Sequence, residues 1–186
     1  MSTAQKTAPK AAAKTASKVA STLSKKSAAS AKTSAKAAPK AQEATALLRA
    51  DHKAVSELFD QYEKTRSSAK KKTLVKKICV ALTVHAQIEE EIFYPAFKKA
   101  LKDTELVPEA TVEHATLKNL IGQIKDVEPD GELYDAKVKV LSEYVRHHVK
   151  EEQNEMFPKA KASKLDMKDL GAQLAARKAE LMAAMA

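Results

Sequence analysis

The stretch His148–Pro158, HVKEEQNEMFP, repeats an earlier one, His85–Pro95, HAQIEEEIFYP. Each begins with His and carries Glu four positions later (Glu89, Glu152). A hydrophobic and aromatic pair follows (Phe93 and Tyr94, Met156 and Phe157), and each stretch closes on Pro. On an α-helix residues i and i+4 lie one above the other, about 6 Å apart, so each stretch presents an imidazole and a carboxylate in one direction. Such a pair is a metal-ligating arrangement. A single HxxxE arises by chance in many helices, whereas two copies aligned over eleven positions carry information.

Working outward, a further His stands upstream of each copy at nearly the same distance: His52 is 33 residues before His85, and His114 is 34 before His148. All four sit inside apolar stripes of helical period. The first helix starts near Ala44 and shows Leu48, His52, Val55, Phe59 and Tyr62. The second starts near Ser68 and shows Leu74, Ile78, Leu82, His85 and Ile92, with Pro95 expected to bend or end it. The third follows Pro108 with His114, Leu117, Ile121 and Ile124, and stops before the turn sequence Glu128-Pro129-Asp130-Gly131. The fourth carries Tyr134, Val138, Leu141, Val145, His148 and Glu152 and is expected to stop around Pro158. A shorter fifth runs from about Asp166 to Met182 with Leu170, Leu174 and Leu181. Four long helices on short connections predict an all-α, up-down-up-down four-helix bundle with a short C-terminal fifth helix and a disordered N-terminal tail.

The 186 residues hold only three Gly and six Pro, with abundant Ala, Lys, Glu and Leu, which favours helix over sheet. No run of eighteen apolar residues is present, so no membrane partner is expected. The single Cys79 excludes an internal disulfide, fits a reducing, cytoplasmic setting, and sits on an apolar face as a core residue. Residues 1–42 hold nine lysines (Lys6, Lys10, Lys14, Lys18, Lys25, Lys26, Lys32, Lys36 and Lys40) and no acid, and so account for the whole net charge of +9. The rest carries 24 basic and 24 acidic side chains, 33 minus 9 against 24, and is neutral. Such a Lys/Ala segment cannot bury enough apolar surface to offset its ordering entropy. By composition it resembles the tails of linker histones and bacterial histone-like proteins, which implies non-specific DNA binding and a nucleoid association; a solubilising linker and a transit peptide are the alternatives. The expected domains are therefore a basic tail at 1–43, a metal-binding bundle at 44–160 and a C-terminal helix at 161–186.

One His in an apolar stripe is ordinarily a satisfied core residue. Four stripes with one His each, two of them followed by Glu, place six polar groups in one core. Each costs several kcal/mol if unpaired, and a metal satisfies them together. The series LLRADH ending at His52, then HAQIEEEIFYP from His85, VEH ending at His114 and YVRHH ending at His148 resembles the hemerythrin-like HHE cation-binding family over residues 44–160. The resemblance implies a non-haem centre of two iron ions, oxo- or hydroxo-bridged. Glu89 and Glu152 would be its bridges, and His52, His85, His114 and His148 its terminal ligands. Zinc and manganese suit the same donors.

Oxygen-carrying members supply HxxxH from the third helix, whereas here the residue four after His114 is Lys118, which cannot ligate while protonated. One more coordination position is then left open than in the oxygen carriers, which favours exchangeable water, peroxide, nitric oxide or a substitute ligand. Tyr144, one turn before His148, is a candidate to reach the metal or a bound oxygen species, with a core tyrosine as the plain alternative. His147 is expected outside the coordinating atoms, and Glu90 and Glu151 facing solvent or backing the ligands. The function expected is binding or sensing of iron, oxygen, nitric oxide or peroxide rather than catalysis. The alternatives are a di-iron enzyme acting on peroxide or in damage repair, and a DNA-associated oxidant scavenger.

Overall fold

The computed structural model describes residues 42–129 and 131–185. The tail expected at 1–43 lies outside the described residues, apart from Gln42 and Glu43. Every element among the described residues is helical: α1 (Ala44–Lys64), α2 (Ser68–Ile88), α3 (Tyr94–Leu101), α4 (Leu106–Ile124), α5 (Glu132–Glu151), α6 (Phe157–Ala162) and α7 (Met167–Ala184). Side chains set several starts. Ser67 accepts from the Lys70 N–H at 3.4 Å, and Asp166 accepts from both Lys168 and Asp169 at 3.0 Å. Asp103 takes the N–H groups of Leu106 and Val107, so α4 begins before Pro108 and not after it. Pro108 stands in the first turn, where a missing N–H costs nothing.

The four long helices α1, α2, α4 and α5 form the bundle, and α7 lies along α1 and α2. Its close approach depends on Gly171, where a Cβ would run into the backbone of Gln42 and stand 2.9 Å from Ala44 N. Two apolar halves fill the interior. One holds Val55, Phe59, Ile78, Leu82, Leu117, Ile121 and Leu141; the other holds Leu48, Ile88, Phe93, Phe97, Phe157 and Leu174. Along every bundle helix the metal-candidate His falls between them. No described helix is long and apolar enough to cross a membrane.

Neither proline of the repeat ends its helix, contrary to the expectation for Pro158. Instead α2 and α5 each pass through one π turn, Glu89–Phe93 and Glu152–Met156, and continue as α3 and α6. A proline ring collides with the carbonyl four residues back, which for Pro95 is Glu91 and for Pro158 is Asn154. The wider turn moves that carbonyl aside and lets the helix run on. Both π turns begin at the Glu of the repeat.

Candidate metal centre

His52 from α1, His85 from α2, His114 from α4 and His148 from α5 turn inward with Glu89 and Glu152, all of them buried. The imidazoles meet in two pairs: Nε2 of His52 is 2.9 Å from Nε2 of His85, and Nε2 of His114 is 3.1 Å from Nε2 of His148. The carboxylates lie between the pairs. Glu89 Oε2 is 3.2 Å from His85 Nε2 and 3.5 Å from His114 Nε2. Glu152 Oε2 is 3.2 Å from His52 Nε2 and 3.6 Å from His148 Nε2. Each carboxylate therefore touches one histidine from each half of the repeat.

Behind each imidazole stands a second layer that obeys the same repeat. The residue before the first His of each half reaches Nδ1 of the second His of that half: Glu113 Oε2 is 2.7 Å from His148 Nδ1, and Asp51 Oδ2 is 3.6 Å from His85 Nδ1. The latter distance is too long for a hydrogen bond. The residue after each Glu reaches across to the other half. Glu90 Oε1 is 2.9 Å from His114 Nδ1, and the Gln153 amide nitrogen is 3.0 Å from His52 Nδ1. A third layer holds the second: Lys118 on Glu90 at 2.6 and 2.7 Å, Arg49 on the Gln153 oxygen at 2.8 Å, and Lys178 of α7 on Asp51. A carboxylate on Nδ1 keeps the Nε2 lone pair facing inward, the tautomer a metal requires. His52 is the exception, because the group facing its Nδ1 is a donor.

Electrostatics inside the cluster follow from burial. Burial, with Glu152 alongside, pushes the Glu89 carboxyl well above the usual carboxylate range. Burial also opposes charge on Glu152, but His148 and the His52 contact outweigh it and hold that carboxyl below its ordinary value. The His114 imidazole is pushed down to about 4 by burial and by His148, so it stays neutral. Burial pulls His52 down as well. Both Glu89 oxygens and Glu152 Oε2 are buried without a hydrogen-bond partner. Such orphans are costly in a closed core, and six inward donors in two sets that share Glu89 fit cations between them.

The other candidates are placed differently. Lys118 is held outward by Glu90. His147 is 61% exposed, 3.5 Å from Glu113 Oε1 and 3.3 Å from Glu151 Oε1. Tyr144 is 41% exposed, so it is no core tyrosine, and no hydrogen bond among the described residues ties it to the cluster. Residue 144 is one turn from His148, but on the outer edge of the stripe. Tyr94 occupies the place considered for it: its hydroxyl donates to Glu152 Oε1 at 2.9 Å and is 3.2 Å from His114 Nε2. The α period sets Tyr94 about 140° from Glu89. The π turn winds five residues into roughly one revolution and brings Tyr94 back over it. The same turn brings Phe157, the counterpart of Tyr94, onto His52, with the rings parallel at 5.8 Å. A Pro six residues after each Glu is the sequence signal that could have shown this.

A buried His/Glu layer across a helical bundle defines a metal-binding bundle protein. Residues 43–160 match the family model for the hemerythrin HHE cation-binding domain, and the chain belongs to that family. Among solved structures it resembles the crystal structure of a hemerythrin HHE cation-binding domain-containing protein from Mycobacterium kansasii. The TM-score is 0.66 at 20% identity, over 77% of this chain and 89% of that one, a likeness of fold. A curated relative, the DNA nickase of Nostoc sp. (strain PCC 7120), is 29% identical over 111 residues. That match takes in 60% of this chain but only 31% of the nickase, so the chain spans less than a third of the relative's length.

Proposed function

We propose that the chain is a non-haem di-iron protein that binds or senses a small oxygen or nitrogen species. The observation that carries this is the double pairing, with two buried carboxylates each set between one histidine of each half. His52 and His85 would hold one ion, His114 and His148 the other, with Glu89 and Glu152 shared. Iron bound there would supply reversible binding or reduction of oxygen, nitric oxide or peroxide. The same donors take zinc or manganese.

The chain's own residues then define the surroundings. Tyr94 is held protonated well above its usual range by burial and by Glu89, and its O–H is a fixed donor beside Glu152. Lys118 is engaged by Glu90, so no fifth nitrogen takes the open position. A cavity of about 20 Å³ beside the four histidines, walled by Val55, Leu82, Leu117, Ile121 and Val145, has room for a water-sized molecule and excludes bulky substrates. Metal analysis with an optical spectrum of air-purified protein tests this reading: two irons per chain and an oxo-bridge band in the near ultraviolet support it. Saturation at one iron per chain refutes it. Steady-state peroxide consumption would move the reading to an enzyme.

A second reading concerns residues 1–42, whose nine lysines without an acid suit a DNA backbone. The likeness to a DNA nickase of Nostoc favours it. The expected binding is indifferent to sequence, independent of metal, and salt-dependent with a log–log slope of about 4 to 6. Duplex DNA titrated with the full chain and with a chain starting at Gln42 decides the matter; equal affinities at low salt remove this reading.

A further inference from the structure

The repeat is also broken on the outer face of the bundle. Where the first half has Val84 and Ile88, both buried in the apolar core, the second has His147 and Glu151, 61% and 33% exposed. Together with Glu113 these form a cluster on the outer face where α4 meets α5, three potential ligand atoms within 4.8 Å of one another.

The layer behind the imidazoles is uneven at this same point. Asp51, Glu90 and Gln153 are each held by a Lys or Arg of the chain, whereas Glu113 meets only imidazoles, those of His147 and His148, in the ion pairs of the described residues. This corner thus holds two carboxylates, Glu113 and Glu151, with no Lys or Arg paired to either among the described residues. A small cleft of about 10 Å³ lies beside this cluster, where Glu109, Glu113, Glu151, His148 and Glu152 line it among apolar side chains. Exposure falls along it, from 33% at Glu151 to 13% at Glu113, 4% at His148 and 2% at Glu152. At its inner end Glu152 Oε2, 3.2 Å from His52 Nε2, has no partner in hydrogen-bonding geometry. Glu113 joins the two ends: Oε1 faces His147, and Oε2 holds His148 Nδ1 at 2.7 Å.

We propose that Glu113, His147 and Glu151 form an outer site for a divalent first-row transition cation, through which metal is loaded into the buried centre. The imidazole favours such ions over magnesium or calcium, and the carboxylates supply the charge that draws them in. The other three corners are closed to cations by Arg49, Lys118 and Lys178. This inference rests on the buried-centre reading above.

The test is stopped-flow mixing of the metal-free full chain with Co²⁺, followed by its d–d absorption, alongside equilibrium dialysis for stoichiometry. Glu151→Gln and His147→Ala should reach the wild-type final absorbance of the buried centre. Their second-order uptake should be slower by about tenfold or more, and both should lose one weakly held Co²⁺ per chain that wild type binds beyond the buried pair. Wild-type uptake rates in both variants, or an unchanged stoichiometry, overturn the proposal. The final absorbance reports the buried centre and the rate the outer site, so a failure of the earlier reading, which shows as no absorbance in any protein, is distinguished from a failure of this one.

Discussion

At the scale of single residues, Gln153 is the least expected part of the site. Arg49 donates to its oxygen and so turns its amide nitrogen towards His52 Nδ1, whereas His114 and His148 each donate to a carboxylate. A ligand imidazole needs an acceptor behind it, so His52 ligates only once that amide turns over. Gln153→Glu supplies the acceptor outright and should tighten metal at the His52 side by about tenfold, read by competition with a chelator. Unchanged affinity would place His52 outside the metal's reach. Cys79 gives a prediction from pH. Burial pushes its thiol up to about 11 from 9.0, so at pH 8 the folded chain holds about a hundredfold less thiolate than the unfolded one. Alkylation at pH 8 should therefore track unfolding. The unfolded thiol ionises near pH 9 and the folded one near 11, so stability is lost as pH rises across that window, by about 1.4 kcal/mol per pH unit.

At the scale of elements, α7 is a strut for the site rather than a trailing appendage. Lys178 fastens Asp51, which faces His85, and the helix reaches α1 only because Gly171 has no side chain. Gly171→Ala is expected to lower stability by about 2 kcal/mol, seen as a shift in urea midpoint, and to weaken metal retention by freeing Asp51. A variant with an unshifted midpoint would mean that α1 yields without cost. The six inward residues were legible in the sequence because the helix stays α up to Ile88 and up to Glu151, so each His still aligns with the Glu four residues on, where the π turn only begins. Tyr94 was not, because its orientation comes from a π turn and the α period sends it to the wrong side. Tyr144 was misplaced by trusting a stripe's width. The partners Gln153, Asp51 and Lys178 are far from their targets in sequence, and no local period reports such pairs.

At the scale of the whole molecule, the polar layer divides two apolar halves that would otherwise form one core. Without a cation, Glu89 and Glu152 leave orphaned oxygens at its middle, so metal and fold are linked. Saturating metal, about a thousandfold above its dissociation constant, should add roughly 4 kcal/mol. For a chain of this size that raises the melting temperature on the order of 10 °C. Calorimetry before and after chelation measures it; a melting point that ignores the chelator would show that the histidines and carboxylates satisfy one another unaided. The bundle itself was readable from four stripes and short connections, since that topology needs no long-range information.

The repeat makes the two ends of the centre look interchangeable, yet Tyr94 and Phe157 stand at equivalent positions with different chemistry. One pair of imidazoles has a phenol hydroxyl among its atoms; the other has a bare ring lying flat on His52. A dyad broken in this way cannot hold twins. If it holds the two ions proposed above, they should arrive and leave in a fixed order, giving a two-step isotherm, and Tyr94→Phe should draw the steps together by making the two ends more alike.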